Sequence, residues 1–109
     1  MRVLFDNGTP RGIARVLPEH EVQEARNLGW DRLENGELLK TAEEAGFEVL
    51  LTSDKNLPYQ QNLKGRKIAV VVLGSSQWPV VRLYLNRIAD AVNTATPGGF
   101  KLVDMPREQ

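Results

Sequence analysis

Cysteine is absent from the 109 residues, which excludes disulfide staples, thiolate nucleophiles and thiolate zinc sites together. Histidine is nearly absent: His20 stands alone, so a metal would have to use oxygen ligands or that one ring, and without a second His or Cys beside it His20 reads as structural. Long apolar runs are missing too. Only Val3, Leu4 and Phe5 are apolar between Arg2 and Asp6, and the longest later run is Ile68 to Leu73, far from a signal peptide's core or a membrane span. A cytoplasmic protein that does not engage the membrane is the expectation.

Net charge is lacking as well: the formal sum is zero, so there is no monopole to draw the chain to nucleic acid. The charges are segregated along the chain all the same. Residues 19–54 hold ten acids against three bases, whereas residues 55–87 hold Lys55, Lys64, Arg66, Lys67, Arg82 and Arg87 with no acid. Such a segment is either a solvated basic face or a surface for RNA or an acidic partner.

What is present is one ordinary domain, residues 1–109, with 41% hydrophobic and 26% charged residues and no repeat, linker or low-complexity stretch. Residues 105–109 read as a flexible tail. Short β-rich runs alternate with segments of helical period, which predicts a three-layer α/β/α fold on a mostly parallel five-stranded sheet. The strands are expected at Arg2 to Phe5, about His20 to Glu24, Glu48 to Thr52, Lys67 to Leu73 and Lys101 to Asp104. The fourth is apolar on both faces, as a strand covered by helices on both sides must be. Helices are expected after a Thr9 cap with Pro10 in the first turn, from an Asn35 cap to Gly46, near Tyr59 to Leu63, and from Pro79 to about Asn93.

In an open parallel sheet, ligands sit beyond the carboxyl ends of the strands, where the strand order reverses. The first strand delivers Asp6-Asn7-Gly8 there, and the third delivers Thr52-Ser53-Asp54-Lys55-Asn56. With strand order 2-1-3-4-5 these ends are neighbours, about 4.8 Å apart, so Asp6 and Asp54 converge on one crevice. Local turns would also explain them: an Asx turn at Asp6 and a cap at Asp54.

Leu4-Phe5-Asp6, Pro10-Arg11, Asn35-Gly36-Glu37-Leu38-Leu39, Ala42, Gly46 and Leu50-Leu51-Thr52-Ser53-Asp54-Lys55-Asn56-Leu57 resemble, in order and spacing, the short PIN-like domain family. That family is similar to the toxin ribonucleases of bacterial toxin-antitoxin systems. The resemblance implies a Mg²⁺- or Mn²⁺-dependent endoribonuclease. Asp6 and Asp54 would be metal ligands and catalytic, Glu37 would bind the metal or orient a water, and Asn35 and Asn56 would complete the shell. Arg11, Lys55, Tyr59 and Gln60 would contact substrate, with Tyr59 offering a stacking ring. The implied partners are single-stranded RNA and an antitoxin protein, and a homodimer is left open.

Three departures weaken the implied site: Asn35 and Asn56 stand where related proteins place acids, and Asn7-Gly8 replaces a Glu-Asn pair. An amide oxygen ligates a metal without bringing charge. Glu37 also has a plain role, since an acid in a first helical turn is favoured by the helix dipole. The competing expectation is therefore a catalytically impaired PIN-like module that binds RNA or protein. A response-regulator receiver fits less well, because the Lys-Pro it wants at the end of the fifth strand is missing.

Overall fold

A computed structural model describes residues 1–106. Five parallel strands, β1 (Arg2–Phe5), β2 (Glu21–Glu24), β3 (Val49–Thr52), β4 (Ala69–Leu73) and β5 (Phe100–Val103), lie in the order β2-β1-β3-β4-β5. Four α-helices join them: α1 (Asn35–Glu44), α2 (Leu57–Gln60), α3 (Trp78–Val81) and α4 (Leu85–Asn93). The fold is α/β, with the expected strand order.

The period-two alternation of the strands builds two cores. Val3, Phe5, Val49, Leu51, Val71 and Leu73 face one way, packed with Ile13, Val81, Ile88 and Val92. Leu4, Leu50, Val70 and Val72 face the other, packed with Leu38, Leu39 and Ala42 of α1 and Leu57 of α2. All of these side chains are essentially inaccessible to solvent, and burying each Leu or Val contributes roughly 1.5–3 kcal/mol. Helical cover on both faces is what makes β4 apolar on both sides.

Several local expectations give way to tertiary contacts. The segment after Pro10 is a 3₁₀ stretch, Arg11–Val16, with no side-chain cap; its Gly12 packs so closely that a Cβ there would lie 2.1 Å from the Trp78 ring. Thr9 does not cap it. Its hydroxyl donates instead to the Leu51 carbonyl at 3.2 Å. Glu34, not Asn35, holds the cap position of α1, whereas Gly46 ends that helix as expected with φ +88°. The helix expected near Tyr59 to Leu63 starts earlier, at Leu57.

The helix expected over Pro79 to Asn93 is broken by a 3₁₀ turn, Arg82–Tyr84, and Tyr84 at φ −121° starts α4. The break turns the Tyr84 hydroxyl to the Pro106 carbonyl, to which it donates. That contact also corrects the tail: Met105 is only 6% exposed and belongs to the core, while residues 107–109 lie outside the described residues. His20 is structural, its Nε2 2.6 Å from the Asn93 Oδ1 and tying the entry of β2 to the end of α4.

Candidate functional site

The strand order places the reversal between β1 and β3, since the chain leaves β1 for β2 on one side and returns to β3 on the other. The register Phe5↔Leu51 sets Asp6 level with Thr52, and Asp54 follows two residues later. The two aspartates are therefore joined through Thr52. Its hydroxyl donates to Asp6 Oδ2 at 2.8 Å and accepts the Asp54 backbone N–H at 3.1 Å.

The other carboxylate oxygens are held by neutral donors. Asp6 Oδ1 accepts from the Asn7 N–H at 2.8 Å, and Asp54 Oδ1 accepts from the Asn56 N–H at 3.0 Å. The Asp54 contact spans two residues, as an Asx turn does, and stands in place of the expected cap, whereas the Asp6 contact reaches only the next residue and is not the Asx turn expected there; each uses one oxygen only. Asp54 Oδ2 accepts from the Asn35 side-chain amide at 2.7 Å, so the first residue of α1 reaches across to the end of β3. The Asn7 side chain donates to the Asp31 carbonyl at 2.8 Å, fixing the loop after β1 to the approach to α1.

Thr52 and Thr9 are the buried polar side chains among the described residues, at 1% and 4% exposure. Both lie under this crevice, and both are fully engaged, Thr9 through the Leu51 carbonyl. A buried hydroxyl costs free energy unless it is hydrogen-bonded, so the core places its polar groups where they orient the strand ends. Sequence reasoning missed Thr52 as a site residue. Its signal was a threonine at the last position of an otherwise aliphatic strand, two residues before Asp54.

The remaining site residues divide. Asn35 is brought to Asp54, but it presents its NH₂ and acts as a donor there. Glu37 is exposed on the first turn of α1, lining an open cleft of about 690 Å³ with Glu34, Asn35, Gly36, Lys40, Gln60 and Gln61. Asn56 and Lys55 are exposed on the loop into α2. Arg11 is paired with Glu24 of β2, its Nε 3.0 Å away, while its side chain stays 71% exposed. Arg66 of the basic segment is likewise taken, paired with Glu43 at 3.3 Å.

Among the described residues, no group of three or more His, Cys, Asp or Glu side chains is placed to share a metal ion. The donors that do converge are two carboxylates and the flanking amides, all oxygen or nitrogen groups of neutral or negative charge. Also among the described residues, no helix is long and apolar enough to cross a membrane. No family model, no curated protein and no solved structure matches the chain.

Proposed function

We propose that the protein is a metal-dependent endoribonuclease of PIN type that cuts single-stranded RNA, and the toxin of a toxin-antitoxin pair. The observation that carries this reading is the Thr52 hydroxyl, buried at the strand ends and joining Asp6 to the Asp54 backbone. The hydroxyl fixes the Asp6 carboxylate and the Asp54 backbone, Asn35 and the Asn56 N–H hold the Asp54 carboxylate, and each carboxylate keeps lone pairs to spare.

The donor set fits a hard divalent cation, which takes oxygen ligands and keeps several waters when only one or two carboxylates serve it. Asp6 and Asp54 would hold Mg²⁺ or Mn²⁺, with Glu37 and Asn56 serving it through water. When bound, the ion supplies Lewis acidity and lowers the pKa of a coordinated water. The chain's own residues orient that chemistry. Thr52 and Asn35 hold the carboxylates, Glu37 accepts a hydrogen bond from the attacking water, and Lys55 meets a phosphate oxygen of the substrate. Hydrolysis then places the water oxygen on phosphorus and its proton on the departing ribose oxygen.

The decisive experiment is a calorimetric titration with Mn²⁺. Asp6→Asn and Asp54→Asn should each weaken binding by about 100-fold or more, beyond the roughly 10- to 100-fold seen when a residue that only orients a ligand is lost, with the fold intact by circular dichroism. Unchanged affinity in both variants rejects the site. One observation favours a second reading, a module that binds RNA or protein without cutting: Asn35 offers an NH₂ to Asp54 where a further acid would add charge. RNA binding that is indifferent to Mn²⁺ and to chelator, with no cleavage, would select it.

A further inference from the structure

A second feature lies on the α1/α2 face of the sheet, away from the aspartates. The register Val70↔Phe100 and Val72↔Leu102 puts Phe100 and Leu102 on the same face as Val70 and Val72, but at the sheet's edge, beyond the helical cover. Phe100 is 47% exposed and Leu102 57%. Above them stands Tyr59 of α2, 80% exposed, its ring meeting Phe100 edge to face at 6.0 Å between centroids and 72° between planes. Phe100 thus braces the Tyr59 ring from one side, and at 80% exposure the ring keeps most of its surface open to solvent.

This aromatic pair borders a groove of about 650 Å³ whose lining includes Gln60, Gln61, Asn62, Lys64 and Gly98. Among the described residues no acid lines it, and the sequence has none between Asp54 and Asp90. Gly98, at φ +75°, closes the groove against the chain, since a Cβ there would lie 3.1 Å from the Leu63 carbonyl. Gln60 and Gln61 also line the cleft beside Glu37 and Asn35, so the groove and that cleft share a wall at α2.

We propose that Tyr59, braced by Phe100, is a stacking ledge for an unpaired base of a single-stranded RNA whose backbone runs past Lys64. The proposal rests on the RNA reading above but needs no metal. The chemistry matches: an open π face takes any base, side-chain amides meet base edges, and a basic groove without acids accepts phosphate. A duplex offers no such base, so the ledge selects single strands.

The test uses the full chain in chelator, with a fluorescent ten-nucleotide oligouridylate and an abasic ribose-phosphate oligomer of equal length as probes. Tyr59→Ala should weaken oligouridylate binding about 5- to 150-fold, the range for losing one stacked base, and leave the abasic oligomer unaffected. Tyr59→Phe, which keeps the ring, should bind like the parent. Lys64→Ala should reduce the salt slope by about 0.7 for both probes. Tyr59 is so exposed that its replacement leaves the fold intact, which a melting curve verifies.

Equal losses on both probes, no loss on either, or no oligouridylate binding by the parent chain overturns the ledge. So does a concentration-dependent dimer that Tyr59→Ala dissolves while RNA binding persists, which would assign the ring pair to a contact between copies. Cleavage assays with Mn²⁺ separate the two ideas. Tyr59-dependent binding without cleavage sinks the nuclease and keeps the ledge, and cleavage with Tyr59-independent binding does the reverse.

Discussion

Carboxylates at the two ends of the sheet are held in opposite ways. At the amino end, Glu43 of α1 accepts from the backbone N–H groups of Lys67 and Ile68 and pairs with the Arg66 guanidinium. The Lys67 N–H above all, with help from Ile68 and Arg66 and against the cost of burial, holds its carboxyl below the ordinary value of 4.5. At the carboxyl end, among the described residues, Asp6 and Asp54 accept only from neutral donors: Thr52, Asn35 and backbone N–H groups. Glu43 has its countercharge within the chain. The aspartate pair has none among the described residues, and that difference separates an acid that fastens a strand from acids that the proposed function gives to a cation.

The comparison breaks first at Glu43. Glu43→Ala leaves the Arg66 guanidinium and the Lys67 and Ile68 N–H groups without their acceptor, and Arg66 already has a buried Nε lacking a hydrogen-bond partner among the described residues. A loss of roughly 2–3 kcal/mol is expected, read from urea unfolding, with Mn²⁺ affinity unchanged. The effect has a pH signature, because the folded carboxyl titrates below the unfolded one. Its contribution is complete above the unfolded value of 4.5 and disappears as pH falls through the lowered folded value. The stability gap between parent and variant should therefore be constant near neutrality and close in acid. A gap that persists below both values would mean that packing, not charge, holds this corner.

Much of this arrangement is legible in the sequence. The two-sided apolar run at residues 68–73 and the alternation in the other strands point to a parallel sheet, and the strand-end rule then singles out Asp6 and Asp54. The missed parts share one cause: polar side chains read by local chemistry are taken by tertiary partners. Thr9 looks like a cap and serves Leu51; Asn35 looks like a cap and serves Asp54. Arg11 and Arg66 look free and are paired with Glu24 and Glu43. The break at Tyr84 likewise depends on Pro106, more than twenty residues away, which no local pattern announces.

Thr52 sharpens the comparison at the carboxyl end. Thr52→Val keeps the shape and β-branching of a buried strand residue while removing the hydroxyl shared by Asp6 and Asp54. Asp6 loses one acceptor bond and turns more freely, so Mn²⁺ affinity should fall about tenfold, the lower end of the range for groups that orient metal ligands. Stability should change far less than in Glu43→Ala, since Asp6 is half-buried and water can replace the bond. Equal Mn²⁺ affinity in parent and Thr52→Val would make the hydroxyl a strand fastener, like Glu43.

Asn35 gives the smallest and most discriminating effect. Its NH₂ lies 2.7 Å from Asp54 Oδ2, so Asn35→Asp exchanges a hydrogen bond for two carboxylates in contact. In chelator this should cost about 1–2 kcal/mol, the lost bond plus like-charge repulsion at a partly solvated site. A divalent cation reverses the sign of the interaction, because the new carboxylate then adds a ligand charge where the parent has an amide. The variant's melting temperature should therefore start below the parent's and climb more steeply with Mn²⁺, as linkage requires of tighter binding to the folded state. Adding Asn56→Asp should extend the gain to Mg²⁺ and raise cleavage of single-stranded RNA, and Asp6→Asn in that background should remove it. If Asn35→Asp is equally destabilised with and without Mn²⁺, the amide is a latch between α1 and β3, and the crevice holds no cation.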